Sequence, residues 1–92
     1  MAWVYILQCN DGSYYTGYAM DLEKRWAEHQ TGVGCKYTRG RRPLCLVYSE
    51  VCEDKSAAMK REYAIKRMTR RQKEKLIQAA DSSKSLLMGD NI

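Results

Sequence analysis

The stretch YYTGYA, residues 14–19, crowds three tyrosines around one glycine. The chain of 92 residues holds seven tyrosines and no phenylalanine. A bare ring satisfies packing, so this density of hydroxyls points to hydrogen bonding or proton transfer. Other side chains carry chemistry where packing would not choose them. Glu62 falls inside the apolar stripe that Ala58, Met59 and Ile65 mark on a helical projection. A carboxylate there needs a metal ion or an ion pair with a base such as Lys36 or Arg25. His29 projects between Leu22 and Trp26 on an earlier helix. It reads either as a packed, hydrogen-bonded core residue or as a general acid or base. Arg25 stands one turn earlier at the stripe edge and suits a phosphate.

These residues need a scaffold, and the sequence outlines one. WVYILQC reads as a first strand, N-D-G at residues 10–12 as a hairpin loop, and SYYTGYA as a second strand. A two-residue turn would put Tyr5 and Tyr15 on opposite faces. A three-residue loop, the expected form, pairs Cys9 with Ser13. It then sets Tyr5 opposite Gly17 and Tyr15 opposite Leu7 on one face. In that register Gly17 is expected to leave open space beside Tyr5 for a ligand. Tyr14 and Tyr18 fall on the other face, where packing explains them.

Asp21 caps a helix over about Leu22 to Thr31, with Gly32 as its stop. A glycine-rich basic connector at residues 32–43 leads into a third strand, LCLVYSEV, residues 44–51. A second helix begins near Asp54 or Ser56 and ends near Met68. The pair Thr69 and Gln72 forms a capping box opening a third helix that ends near Ala80. Residues 81–92 show no period and are expected to form a loose, flexible tail after a domain at residues 1–80. The order ββαβαα is that of an α+β domain on a small antiparallel sheet.

Net charge is +5, but residues 36–75 carry 13 of the 16 basic side chains and 5 of the 11 acidic ones, a local net of +8. A localised positive surface suits phosphate, unless it serves only as a solvated face. No apolar run approaches a membrane span, and no secretory signal is read at the N-terminus. The four cysteines lack a C-x-x-C spacing, and one histidine makes a zinc site a poor expectation. Reduced, partly buried thiols in a cytoplasmic protein are expected.

Val4-Tyr5 followed by Tyr15-Thr16-Gly17 resembles the two halves of the GIY-YIG endonuclease motif. Arg25, His29, the K-Y-T of residues 36–38 and Glu62 in KREYAIK extend the likeness over residues 3 to about 78. In detail it is similar to the small single-domain bacterial branch of that family, through D-G-S-x-Y-T-G-x and K-Y-T-R-G-R-R-P. Two positions depart: Trp3 replaces the first glycine, and Y-T-G replaces Y-I-G.

The resemblance implies a three-stranded antiparallel sheet flanked by helices and metal-dependent hydrolysis of DNA phosphodiesters. It implies that Tyr5 and Tyr15 line the cleft and that either accepts the proton of the attacking water. Arg25 would stabilise the pentavalent phosphate, His29 would assist proton transfer, and Glu62 would hold one Mg²⁺ or Mn²⁺. Gly17 and Tyr37 would shape and order the cleft. A phenol with a pKa near ~10 is a weak base at neutral pH, and a neighbouring guanidinium and metal-bound water favour its phenolate. Lys36, Arg39, Arg41 and Arg42, with Arg67, Arg70, Arg71 and Lys73, would track the phosphate backbone without reading sequence. Two other readings stand beside the nuclease. One is a DNA- or RNA-binding module with little cleavage. The other is a basic domain that docks an acidic protein.

Overall fold

A computed structural model describes residues 1–31 and 40–88. It contains β1 (Ala2–Gln8), β2 (Tyr14–Ala19), α1 (Leu22–Thr31), β3 (Cys45–Cys52), α2 (Lys55–Lys66) and α3 (Arg70–Met88). The strands form one antiparallel sheet in the order β2-β1-β3, so the most apolar strand is central. The architecture is the expected α+β domain of order ββαβαα.

The central strand is apolar on both sides because both sides are covered. Ala2, Val4 and Ile6 face one way and meet Ala58 and Ile65 of α2 and Ile77 of α3. Tyr5 and Leu7 face the other way and pack with Ala19, Leu22 and Trp26 under α1. Burying Val4, Ile6 and Ile65 completely is worth about 1.5–3 kcal/mol for each side chain.

The hairpin forms with the three-residue loop. The Cys9 N–H donates to the Ser13 carbonyl at 2.8 Å, and the Gly12 N–H donates to the Cys9 carbonyl at 2.9 Å. Gly12 has φ +85°, a conformation that a side chain would strain. Asp11 locks the loop by accepting from the Ser13 hydroxyl at 2.6 Å and the Ser13 N–H at 3.0 Å. These bonds hold its carboxyl below the usual range. The register follows: Tyr5 pairs with Gly17 and Leu7 with Tyr15.

Local signals also set the helix starts. Asp21 accepts from the Lys24 N–H at 3.1 Å, and Asp54 accepts from the Ala57 N–H at 2.8 Å. The capping box closes both ways. The Thr69 N–H donates to Gln72 Oε1 at 2.9 Å, and the Gln72 N–H donates to Thr69 Oγ1 at 3.2 Å.

Three details depart from expectation. Helix α3 runs to Met88 rather than ending near Ala80. No glycine or proline occurs between its start and Gly89, so nothing in residues 81–88 breaks it, although their apolar period is weak. Met59 is 47% exposed and lies outside the buried stripe of α2, which Ala58 and Ile65 define. A register shift between Ile6 and Leu7 places a bulge against β3, which the alternation of its side chains did not reveal.

Candidate active site

Tyr5 sits on the central strand, with its ring laid across Gly17 of β2. A Cβ at Gly17 would lie 2.7 Å from Tyr5 Oη, 2.8 Å from Tyr5 Cζ and 3.2 Å from Tyr15 Cε2. The space that Gly17 releases is therefore filled by the Tyr5 ring, not left open for a ligand as expected. Glycine here lets the phenol lie flat along the strand pair and reach α1.

At its far end the Tyr5 hydroxyl is 2.9 Å from Nε2 of His29, a buried bond between β1 and α1. His29 is 1% exposed. Burial lowers its pKa below 6.5, and the nearby Arg25 charge lowers it further, against a smaller opposing pull from Glu28. The ring is thus neutral at pH 7. Tyr15 completes an aromatic triangle, with its centroid 6.4 Å from that of Tyr5 and 5.5 Å from that of His29. Both of the open readings of His29 have a basis here: it is packed, and it touches a candidate proton carrier.

The triangle opens into a cleft of about 350 Å³ at the β2 edge of the sheet. Tyr5, Tyr15 and Gly17 form its floor, Arg25 reaches in from α1, and Lys55 and Glu62 reach in from α2. Four chemically distinct groups from four elements thus share one space. A neighbouring cleft of about 250 Å³ continues along α1 through Arg25, Lys24 and Glu28. Among the described residues Arg25 makes a loose pair with Glu28, at 3.7 Å and with its own side chain 43% exposed.

Glu62 pairs with Lys66 at 3.6 Å, one turn along α2, so the base of the ion-pair reading is Lys66 and neither of the two bases named for it; Lys36 lies outside the described residues. The Lys66 side chain is 51% exposed, so this pair is worth no more than about 0.5 kcal/mol and yields readily to another cation. Among the described residues no group of three or more His, Cys, Asp or Glu is assembled. One carboxylate beside phenol oxygens fits Mg²⁺ or Mn²⁺ better than zinc. Mg²⁺ keeps several waters and takes one or two carboxylates plus phosphate oxygens.

A scan of family models matches residues 1–75 to the GIY-YIG catalytic domain. The chain belongs to the GIY-YIG family. It is 55% identical over 73 residues to a UPF0213 protein of Halobacterium salinarum, covering 79% of this chain and 95% of that one. It is 59% identical over 75 residues to a UPF0213 protein of Staphylococcus epidermidis, covering 82% and 92%. The solution structure of a UPF0213 protein from Bacillus halodurans superposes with a TM-score of 0.57 at 48% identity, covering 86% of this chain and 85% of that one. GIY-YIG proteins are a family of endonucleases, so the cleft belongs to a nuclease-type domain.

Of the basic residues expected to meet DNA, several have structural work in this GIY-YIG domain. Arg70 donates to the Gly12 carbonyl at 2.9 Å and stacks 4.6 Å above the Tyr14 ring, tying α3 to the hairpin. Arg41 pairs with Asp11 at 3.2 Å, and Arg42 donates to the Gln30 carbonyl at 3.2 Å. Arg67 lies 5.5 Å over Tyr63. Arg71 is exposed and Lys73 half-buried on α3. Lys36, Tyr37 and Arg39 fall outside the described residues.

Sequence reading missed Lys55. The available signal was its spacing: it precedes Glu62 by two helical turns and so shares that helix face. Tyr18 was also placed away from the cleft, yet it lines the rim, because β2 is an edge strand and α2 reaches around it.

Proposed function

We propose that this protein is a metal-dependent endonuclease that hydrolyses DNA phosphodiesters. The observation that carries the reading is the meeting of Tyr5, Tyr15, Arg25 and Glu62 in one cleft. Each answers one need of the reaction: a proton acceptor for water, charge stabilisation, and a cation site.

In this mechanism Arg25 grips the non-bridging oxygens of the scissile phosphate and stabilises their growing charge. Tyr15, at the open side of the triangle, orients the attacking water. The water proton passes to the Tyr5 oxygen as the Tyr5 hydroxyl proton passes to neutral His29 across the 2.9 Å contact. The new P–O bond forms as the bond to the leaving nucleoside oxygen breaks, and that alkoxide takes a proton from solvent water. A neutral His29 ring is suited to accept the Tyr5 proton, with Tyr5 O–H as donor and Nε2 as acceptor. Glu62 would hold the divalent ion, which would supply Lewis-acid polarisation of a phosphoryl oxygen. Lys55 adds a second cation to the lining of the cleft.

The test is incubation of purified protein with supercoiled plasmid and branched DNA in Mg²⁺, Mn²⁺ or EDTA. Cutting in either metal and none in EDTA is expected. Binding without cutting in any metal would favour a nucleic-acid-binding module. Absence of binding at low salt would favour a protein-docking domain.

A further inference from the structure

One flank of α2 leads out of the cleft. Glu62 and Lys55 line the cleft itself. Round the helix from them, at 100° per residue, come Lys66, Met59, Tyr63 and then Arg67. Met59 is 47% exposed and Tyr63 is 62% exposed, and they sit one turn apart on the same strip. The packing of the fold does not account for this strip: the helix is held to the sheet through Ala58 and Ile65 on another side. Arg67 holds the exposed ring in place. Its guanidinium lies 5.5 Å from the ring centroid, and Nη1 donates to the Tyr63 hydroxyl at 3.2 Å.

We propose that this flank is the seat of an unpaired strand, with a nucleobase stacked on Tyr63 and its phosphates met by Lys55, Lys66 and Arg67. The inference rests on the reading of the cleft as a phosphodiester site. Alternating cations with an exposed ring and a thioether is the chemistry of single-strand binding, in which bases stack and phosphates pair. A duplex could use the cations, but its base faces are already covered by their neighbours, so it gains nothing from the ring. An acidic peptide would gain from the cations but has no flat base to lay on the ring face that Arg67 leaves free. The substrate that fits both cleft and flank is therefore DNA carrying a single-stranded arm beside the scissile linkage.

The experiment measures binding by fluorescence anisotropy in EDTA, where no cutting occurs. Probes are a blunt duplex, the same duplex with a single-stranded flap, and a short single strand. Tyr63→Ala is expected to weaken flap and single-strand binding about tenfold, in line with the loss of one stacked base. Blunt-duplex binding should be unchanged, and Tyr63→Trp should restore the flap preference. Tyr63 is exposed, so folding is preserved, and a melting curve verifies it. Equal losses on duplex and flap, or no loss on either, would overturn the assignment; in the latter case the strip is left to a protein partner. Because binding is read without metal, a protein that binds flaps through Tyr63 yet never cuts contradicts the hydrolase alone. A protein that cuts but is indifferent to Tyr63→Ala contradicts only this inference.

Discussion

At the residue scale the site turns on what surrounds each hydroxyl and ring. Tyr5 is 2% exposed and bonded to a histidine that burial keeps neutral. The depressed pKa of His29 links stability to pH with a definite sign. The unfolded chain binds this proton below about pH 6.5 while the folded chain resists it. The stabilisation is thus fully present above 6.5 and is lost as pH falls toward the lower folded value. Urea unfolding of the wild type between pH 8 and 5 should show this acid-side loss, and His29→Asn should flatten it. Cutting should decline only at the acid end of that window, where the folded ring itself takes a proton and no longer accepts from Tyr5. The sequence singled out the tyrosine density, Arg25, His29 and Glu62, and the structure brings Tyr5, Tyr15, Arg25 and Glu62 to one cleft. What the sequence did not reveal was the partner of each. Tyr5 to His29 spans 24 positions, and the Lys66 alternative for Glu62 depends on which way a flexible side chain turns.

At the scale of elements, strand β2 does two jobs on its two faces. On the α1 face, Gly17 makes room for the Tyr5 ring. Gly17→Ala should force that ring aside, lowering stability by about 1–3 kcal/mol and cutting by at least about tenfold. On the other face, Thr16 is 3% exposed, and its hydroxyl has no hydrogen-bond partner among the described residues. A buried unsatisfied hydroxyl costs about 1–3 kcal/mol. Thr16→Val should therefore stabilise the domain by about 1 kcal/mol, read as a melting temperature higher by roughly 4–8 °C. Cutting should be retained, since Thr16 points away from the cleft.

The hairpin register was legible because loop length and alternation together fix it, and the caps were legible because they are local. The β3 bulge and the length of α3 were not. A bulge answers to the partner strand, and a helix without a breaker continues where its pattern has faded.

At the scale of the whole molecule, the positive charge divides into two classes. Arg70 and Arg41 tie the hairpin to α3 and to the segment before β3. Arg71 and Lys73 of α3 have no such ties among the described residues. Binding of duplex DNA should weaken steeply as salt rises. Arg71→Ala and Lys73→Ala should each reduce the slope of log affinity against log salt by about 1. Arg70→Ala should instead lower the unfolding midpoint. Composition announced the basic surface but could not separate these classes, because the distinction depends on what each guanidinium touches.

The central claim is that four side chains from separate elements act together on one phosphodiester. Single-turnover cutting of a flapped DNA in Mg²⁺, by Tyr5→Phe, Glu62→Gln and the double variant, tests it most directly. Groups that act as a unit lose activity non-additively. Each single substitution should cost about 10²–10⁴-fold, and the double should cost little more than the worse single. Full activity in Glu62→Gln, or losses that simply multiply in the double variant, would contradict the account.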